Sequence, residues 1–202
     1  MLTIYRQDSL MSEMAGVQMK ASEINKDIKK IYSLYNQAHE SFVDIWQKMI
    51  LFTPRWWLGF ALSILPWIIW FKLHNRHNRG DLIRAGFFMA IIALILDSIG
   101  LQFGLWTYPY NVFPFITGYL PWDLTLLPVS MMLMIEFMPN LNPFLKGIIY
   151  GALAAFIGEP IAMWLDLYEP IHWKSIYSFP IYVLLFLLSN YIAKGKLSHA
   201  TF

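Results

Sequence analysis

The chain has 202 residues, of which 57% are hydrophobic, 17% aromatic and only 14% charged, against about 25% charged in soluble proteins. A soluble domain with so little charge would not cover its own surface, and a net charge of +2 with no basic stripe between aromatics argues against a nucleic-acid partner. There is no cysteine, which rules out disulfides, thiolate metal sites and cysteine nucleophiles.

Residues 1–53 read as one amphipathic helix. Apolar residues fall at Leu10, Met14, Val17, Ala21, Ile24, Ile28, Ile31, Tyr35, Ala38, Phe42, Ile45 and Met49, at alternating spacings of four and three. This seam fits a helix on the membrane surface or on the bundle, or a coiled coil joining a homo-oligomer or another protein partner through residues 10–49. The start lacks an apolar core and a small-residue cleavage site, so no cleavable signal peptide is expected.

Residues 54–196 read as a transmembrane bundle, and 197–202 as a short tail. No Lys or Arg occurs from Ala85 to Leu145, or again from Gly147 to Trp173. A hydrocarbon core of about 30 Å needs roughly 17–25 helical residues. Five stretches meet or approach that length: Trp56–Phe71, Leu82–Leu105, Gly118–Met138, Gly147–Tyr168 and Ser175–Ala193. The expected fold is therefore all-α, a polytopic bundle of about five transmembrane helices behind an N-terminal amphipathic helix. Membrane lipid is its expected surrounding, and a bacterial inner membrane is the simplest home. Trp56, Trp57, Trp106, Tyr108, Tyr110, Trp122, Trp164, Trp173 and Tyr191 stand near span ends, as an interfacial aromatic belt would. Lys72, Arg76, Arg79, Arg84, Lys146, Lys194 and Lys196 fall on one side and Lys48, Arg55 and Lys174 on the other, which puts the C-terminus in the cytoplasm.

Two spans carry an acid on a stripe of small residues. The second has Gly86, Ala90, Ala93, Asp97, Gly100 and Gly104; the fourth has Ala152, Ala155, Glu159, Ala162 and Asp166. Small residues let membrane helices approach closely, and Gly100–Gly104 and Gly147–Gly151 are both G-x-x-x-G pairs. Asp97 and Glu159 should thus face the bundle, with Asp123 of the P-W-D turn at a neighbouring depth. Asp166, Glu169 and His172 would form a rim above them, and Glu136 lies apart. No Lys or Arg in these spans neutralises the acids, and a bare carboxylate in such a medium costs a few kcal/mol. Either they are protonated, hydrogen-bonded helix glue, or protons, a cation or a cationic or lipidic ligand visits them. His74 and His77, beside Arg76 and Arg79, read as a headgroup-facing basic loop rather than metal ligands. Pro160, directly after Glu159, removes a backbone donor beside the acid. No nucleotide-binding loop, nucleophile elbow or metalloprotease motif occurs, and neither metal nor cofactor is expected.

The runs LDSIGLQFGLWTYPY, LPWDLTLLPV and GEPIAMWLDLYEPIHW resemble a family of small uncharacterised polytopic membrane proteins of spore-forming Gram-positive bacteria, over residues 55–195. A more distant resemblance is to the lycopene-cyclase-type membrane domain, whose paired-acid P-x-E-E motif stands where P-W-D stands here. That resemblance would match Asp123 to the motif's acid, although this chain has one acid there, not two. Three functions follow as expectations: a binding or transport-like protein using Asp97, Asp123 and Glu159; a membrane-embedded acid–base enzyme acting on an isoprenoid or other lipid; or an assembly protein acting through its N-terminal helix.

Overall fold

The computed structural model describes residues 2–116 and 118–194, and side chains of 2–19 and 21 are outside that description, as are Lys196 and the expected 197–202 tail. The protein is mostly helical, at 79%, and four of its helices are long and apolar enough to span a membrane. It falls into two compact units, 1–45 and 46–202.

The first unit is a single helix, α1 (Leu2–Ile45). Ile24, Ile28, Ile31 and Tyr35 of the heptad seam are all exposed on it.

The second unit opens on a π-helical turn, Trp46–Ile50, and a sharp corner at Phe52, whose φ is +62°. Thr53 then caps α2 (Pro54–Leu73): its hydroxyl accepts the Trp56 N–H, and Pro54 stands in the first turn, where no N–H is needed. A 3₁₀ turn, Arg76–Asn78, leads to α3 (Arg79–Gln102). The expected third span is helical only from 120 to 137, as a π-helical turn, Trp122–Leu126, and then α4 (Leu127–Phe137). It is not among the four long apolar helices. The next span is also broken: α5 (Pro143–Leu153), a π-helical turn at Ala154–Gly158, and α6 (Glu159–Trp164). The last helix is α7 (Ser175–Lys194).

The breaks have a common cause. Pro128 and Pro160 each follow a π-helical turn, because a proline inside a helix gives no N–H to the preceding turn and its ring crowds the carbonyl four residues back. For Pro128 that carbonyl is on Leu124, and it accepts the Trp67 indole N–H at 3.1 Å instead.

Small residues seat the helices. A Cβ on Gly151 would stand 2.7 Å from Val183 and 3.0 Å from the Phe179 carbonyl, so α5 lies directly on α7 there. Gly86 does the same for Met132 of α4. The Gly100–Gly104 pair corrects the reading of a helix contact. Gly100 makes room for the Trp106 ring, and Gly104, at φ +63°, ends α3. The main core gathers around Met89, Met131, Met132, Tyr150 and Phe186. Lys146, placed by charge counting at the membrane face, is fully buried.

α3 and α6 end alike. Leu105 N–H bonds the Gly100 carbonyl at 2.9 Å and Gly104 N–H bonds Leu101 at 3.0 Å; Leu167 bonds Ala162 at 2.9 Å and Asp166 bonds Met163 at 3.0 Å. Both are six-to-one and five-to-two helix caps turning on a left-handed residue, glycine in one and Asp166 (φ +59°) in the other. Each cap throws the chain into a two-residue strand, β1 (Trp106–Thr107) and β2 (Glu169–Pro170). These pair antiparallel, Trp106 with Pro170 and Thr107 with Glu169.

Candidate functional site

The twin caps and their ribbon roof one end of a cavity of about 80 Å³, several times the space one water occupies by this measure. Asp97 of α3, Asp123 of the first broken helix and Glu159 at the start of α6 all line it. They are 6%, 2% and 5% exposed, so all three acids are buried side chains of one pocket.

Asp97 is the anchored member. Its Oδ1 accepts the Trp106 indole N–H at 2.7 Å and the Tyr108 hydroxyl at 2.6 Å, and its Oδ2 accepts the Tyr119 backbone N–H at 3.0 Å. Three converging donors are the partners a carboxylate takes. Burial, and then the Asp97 and Asp123 carboxylates, hold the Tyr108 hydroxyl well above the ordinary tyrosine pKa, which keeps it a donor.

Asp123 closes on Asp97. A Cβ on Gly118 would stand 2.7 Å from Asp97 Oδ2 and 2.9 Å from Asp123 Oδ2, so both carboxylates crowd one point of backbone. Gly118 has φ +101°, a conformation that glycine alone adopts readily. Two carboxylates this close need a positive charge, a proton or a cationic group, between them. Asp123 Oδ2 meets no donor in hydrogen-bond geometry among the described residues, and the group facing this carboxyl is that of Asp97, with which a single proton can be shared.

Glu159 lies across the pocket. Its Oε1 accepts the Tyr182 hydroxyl at 3.0 Å, and that hydroxyl accepts the Trp122 indole N–H at 3.1 Å. Glu159 Oε2 meets no donor in strict hydrogen-bond geometry among the described residues, although the Ser178 and Ser175 hydroxyls stand by this carboxyl group. Two buried carboxyl oxygens, Asp123 Oδ2 and Glu159 Oε2, therefore meet no donor in hydrogen-bond geometry, and no described Lys or Arg lines the cavity. Among the described residues no set of three or more His, Asp or Glu is grouped to hold a metal ion.

The remaining wall is aromatic. Trp106, Tyr108, Tyr119 and Trp122 line the cavity from one side, and Tyr168, Trp173 and Tyr182 from the other. Tyr108 stacks on Tyr119 at 5.1 Å, and Trp106 meets Trp173 edge to face at 5.3 Å. Trp173 donates to the Ser178 hydroxyl at 2.8 Å. Of the expected interfacial belt, Trp164 and Tyr191 are exposed, at 80% and 75%, whereas Trp106, Tyr108, Trp122 and Trp173 turn inward to this pocket.

The expected rim is a separate place. Asp166 and Glu169 line a second cavity of about 430 Å³, with Tyr110 and Tyr168. Asp166 forms an ion pair with Arg55, which also lies 4.9 Å over the Tyr110 ring. His172 lines neither cavity, and its backbone N–H bonds the Leu105 carbonyl at 2.9 Å. Glu136 accepts the Asn75 backbone N–H, away from the acid pocket.

Sequence reasoning missed Gly118, Tyr119, Tyr168, Ser178 and Tyr182. The one signal for Gly118 was its place just before P-W-D. The tyrosines carried none, since a tyrosine in an apolar run reads equally as belt or core. No protein-family model, curated protein or solved structure matches the chain.

Proposed function

We propose that this protein is a multi-pass membrane protein that binds an organic cation, an amine-bearing molecule, in the acid and aromatic pocket. The observation that carries the reading is the gathering of three buried acids, Asp97, Asp123 and Glu159, in one aromatic-walled cavity with no described Lys or Arg on its wall. A buried carboxylate without a counter-charge is costly, and a visiting cation removes that cost. Ring faces add to it: a cation over an aromatic ring gains about 0.5–2 kcal/mol. A proton alone would answer the charge, but it would have no use for seven rings around an open space.

In this reading the broken third helix crosses the bilayer as well, giving five spans. The first loop and the C-terminus lie in the cytoplasm of a bacterial cell, and the pocket opens toward the outer half. The N-terminal amphipathic helix joins a second copy or another protein, a use supported by the bare Ile24, Ile28, Ile31 and Tyr35 stripe. A second reading, an acid–base enzyme acting on a lipid, is favoured by the Tyr182 hydroxyl set against Glu159, a positioned proton relay.

The test is a titration of the detergent-solubilised protein with tetramethylammonium, followed by tryptophan fluorescence. Asp123→Asn and Glu159→Gln should each weaken binding about tenfold while the protein stays monodisperse. Equal binding by both variants, or none by the wild type, would overturn the cation site. A changed lipid profile in cells that express the protein, lost in Glu159→Gln, would select the enzyme instead.

A further inference from the structure

Trp122 has two faces on two cavities. On one side is the acid pocket. On the other is a groove of about 410 Å³ between α2, the broken third helix and α5–α6. Leu58 and Leu62 of α2, Leu126 and Met134, and Leu153 and Leu165 wall it, and no acid and no Lys or Arg does. From Trp122 to Met134 it follows the helix for roughly 18 Å at 1.5 Å per residue. Tyr119, Trp122, Leu127 and Ala162 line both spaces, so the head of the groove and the floor of the pocket share walls. Gly158 is part of this joint: a Cβ there would stand 2.6 Å from the Trp122 ring.

We infer that the cation taken by the acid pocket is a single-chain amphiphile, an alkylammonium whose hydrocarbon tail lies in this groove. The inference rests on the cation reading above and adds the tail. Apart from Ser130 and the tyrosines Tyr119 and Tyr150 the groove's lining is apolar, and inside a bilayer such a groove takes hydrocarbon, the matter that matches it. What selects among hydrocarbon-tailed molecules is the polar end. Here that end meets a cavity lined by three acids and seven aromatic side chains with no described basic residue, so an ammonium is matched and an anionic headgroup is repelled. A zwitterionic head is matched only in part, since its phosphate is brought against the same acids.

The chemistry of the tail fixes the design of the test. Lengthening an alkyl chain strengthens apparent binding through micelle partition alone, so a chain-length series on the wild type is not decisive. The informative quantity is the ratio of dodecyltrimethylammonium to tetramethylammonium affinity, compared between the wild type and a groove-filled variant. Partition is the same for both proteins and cancels. Ala154→Phe fills the groove from a position outside the acid pocket. The ratio should fall about tenfold in this variant while tetramethylammonium binding holds. Dodecyl sulfate should not bind, and dodecylphosphocholine should bind more weakly than dodecyltrimethylammonium. If Ala154→Phe aggregates, Leu62→Phe on the opposite wall carries the same comparison.

A ratio unchanged by filling, or equal binding of dodecylphosphocholine, would overturn the amphiphile and leave the cation site standing. Loss of tetramethylammonium binding in the wild type itself would overturn both.

Discussion

One residue with no side chain decides how closely the acids approach. Gly118 leaves the space in which Asp97 and Asp123 meet, and its φ of +101° is strained for any other residue. Gly118→Ala should lose about 1–3 kcal/mol from backbone strain alone, and more from the clash with two carboxylate oxygens. Thermal unfolding in detergent would show a lowered midpoint, and the tetramethylammonium titration a loss of binding. Gly80→Ala is the control. Its Cβ would meet only the end of the Arg84 side chain at 3.8 Å, so stability and binding should hold. A midpoint unchanged in Gly118→Ala would mean that the loop does not take this conformation. The acids themselves were legible, because Asp97 and Glu159 each stand on a stripe of small residues in an apolar run. Their closeness was not, since it depends on a backbone angle in a loop between spans.

The helix ends carry the next level of organisation. α3 and α6 each place an acid two turns before a left-handed cap: Asp97 before Gly104, and Glu159 before Asp166. Each cap leads into one strand of the same ribbon. The two membrane segments, one continuous and one broken, thus deliver their carboxylates to one level through one device. At Gly104 a Cβ would meet nothing within 4 Å, so Gly104→Ala isolates the backbone and should cost about 1 kcal/mol without touching binding. At Gly100 a Cβ would overlap the Trp106 ring, so Gly100→Ala should also displace the indole that donates to Asp97 and weaken tetramethylammonium binding. Equal effects of the two variants would separate the caps from the site. This device was hard to read in sequence. Gly100–Gly104 matches a helix-contact motif as well as a helix end, and an aspartate that takes the glycine position, as Asp166 does, looks like one more acid on a stripe. The aromatic belt misled for a related reason. The tryptophans and tyrosines of a membrane interface and those of a cavity at the same depth have the same composition and spacing, and only the chain reversal at each cap turns them inward.

The apolar runs were legible across the whole molecule because bilayer thickness imposes one length on every crossing. The third was the exception: its π-helical turn and Pro128 leave an α-helical part of 11 residues. The natural absence of cysteine makes the proposed path through the membrane directly testable. Single cysteines at Arg79, Asn140 and Lys174 are clean labels for an impermeant maleimide applied to intact cells. Labelling at Lys174 alone is the outcome expected if α3, the third helix and α5–α6 all cross. Labelling at Asn140 in place of Lys174 would remove the third crossing, and labelling at Arg79 would invert the protein.

The ring of Tyr168 lines both the acid pocket and the outer cavity that holds Asp166 and Glu169. A single aromatic plate is thus the partition between two chambers with acidic walls, the outer one holding the Arg55–Asp166 ion pair. Shortening that side chain, as in Tyr168→Ala, would merge the two spaces into one.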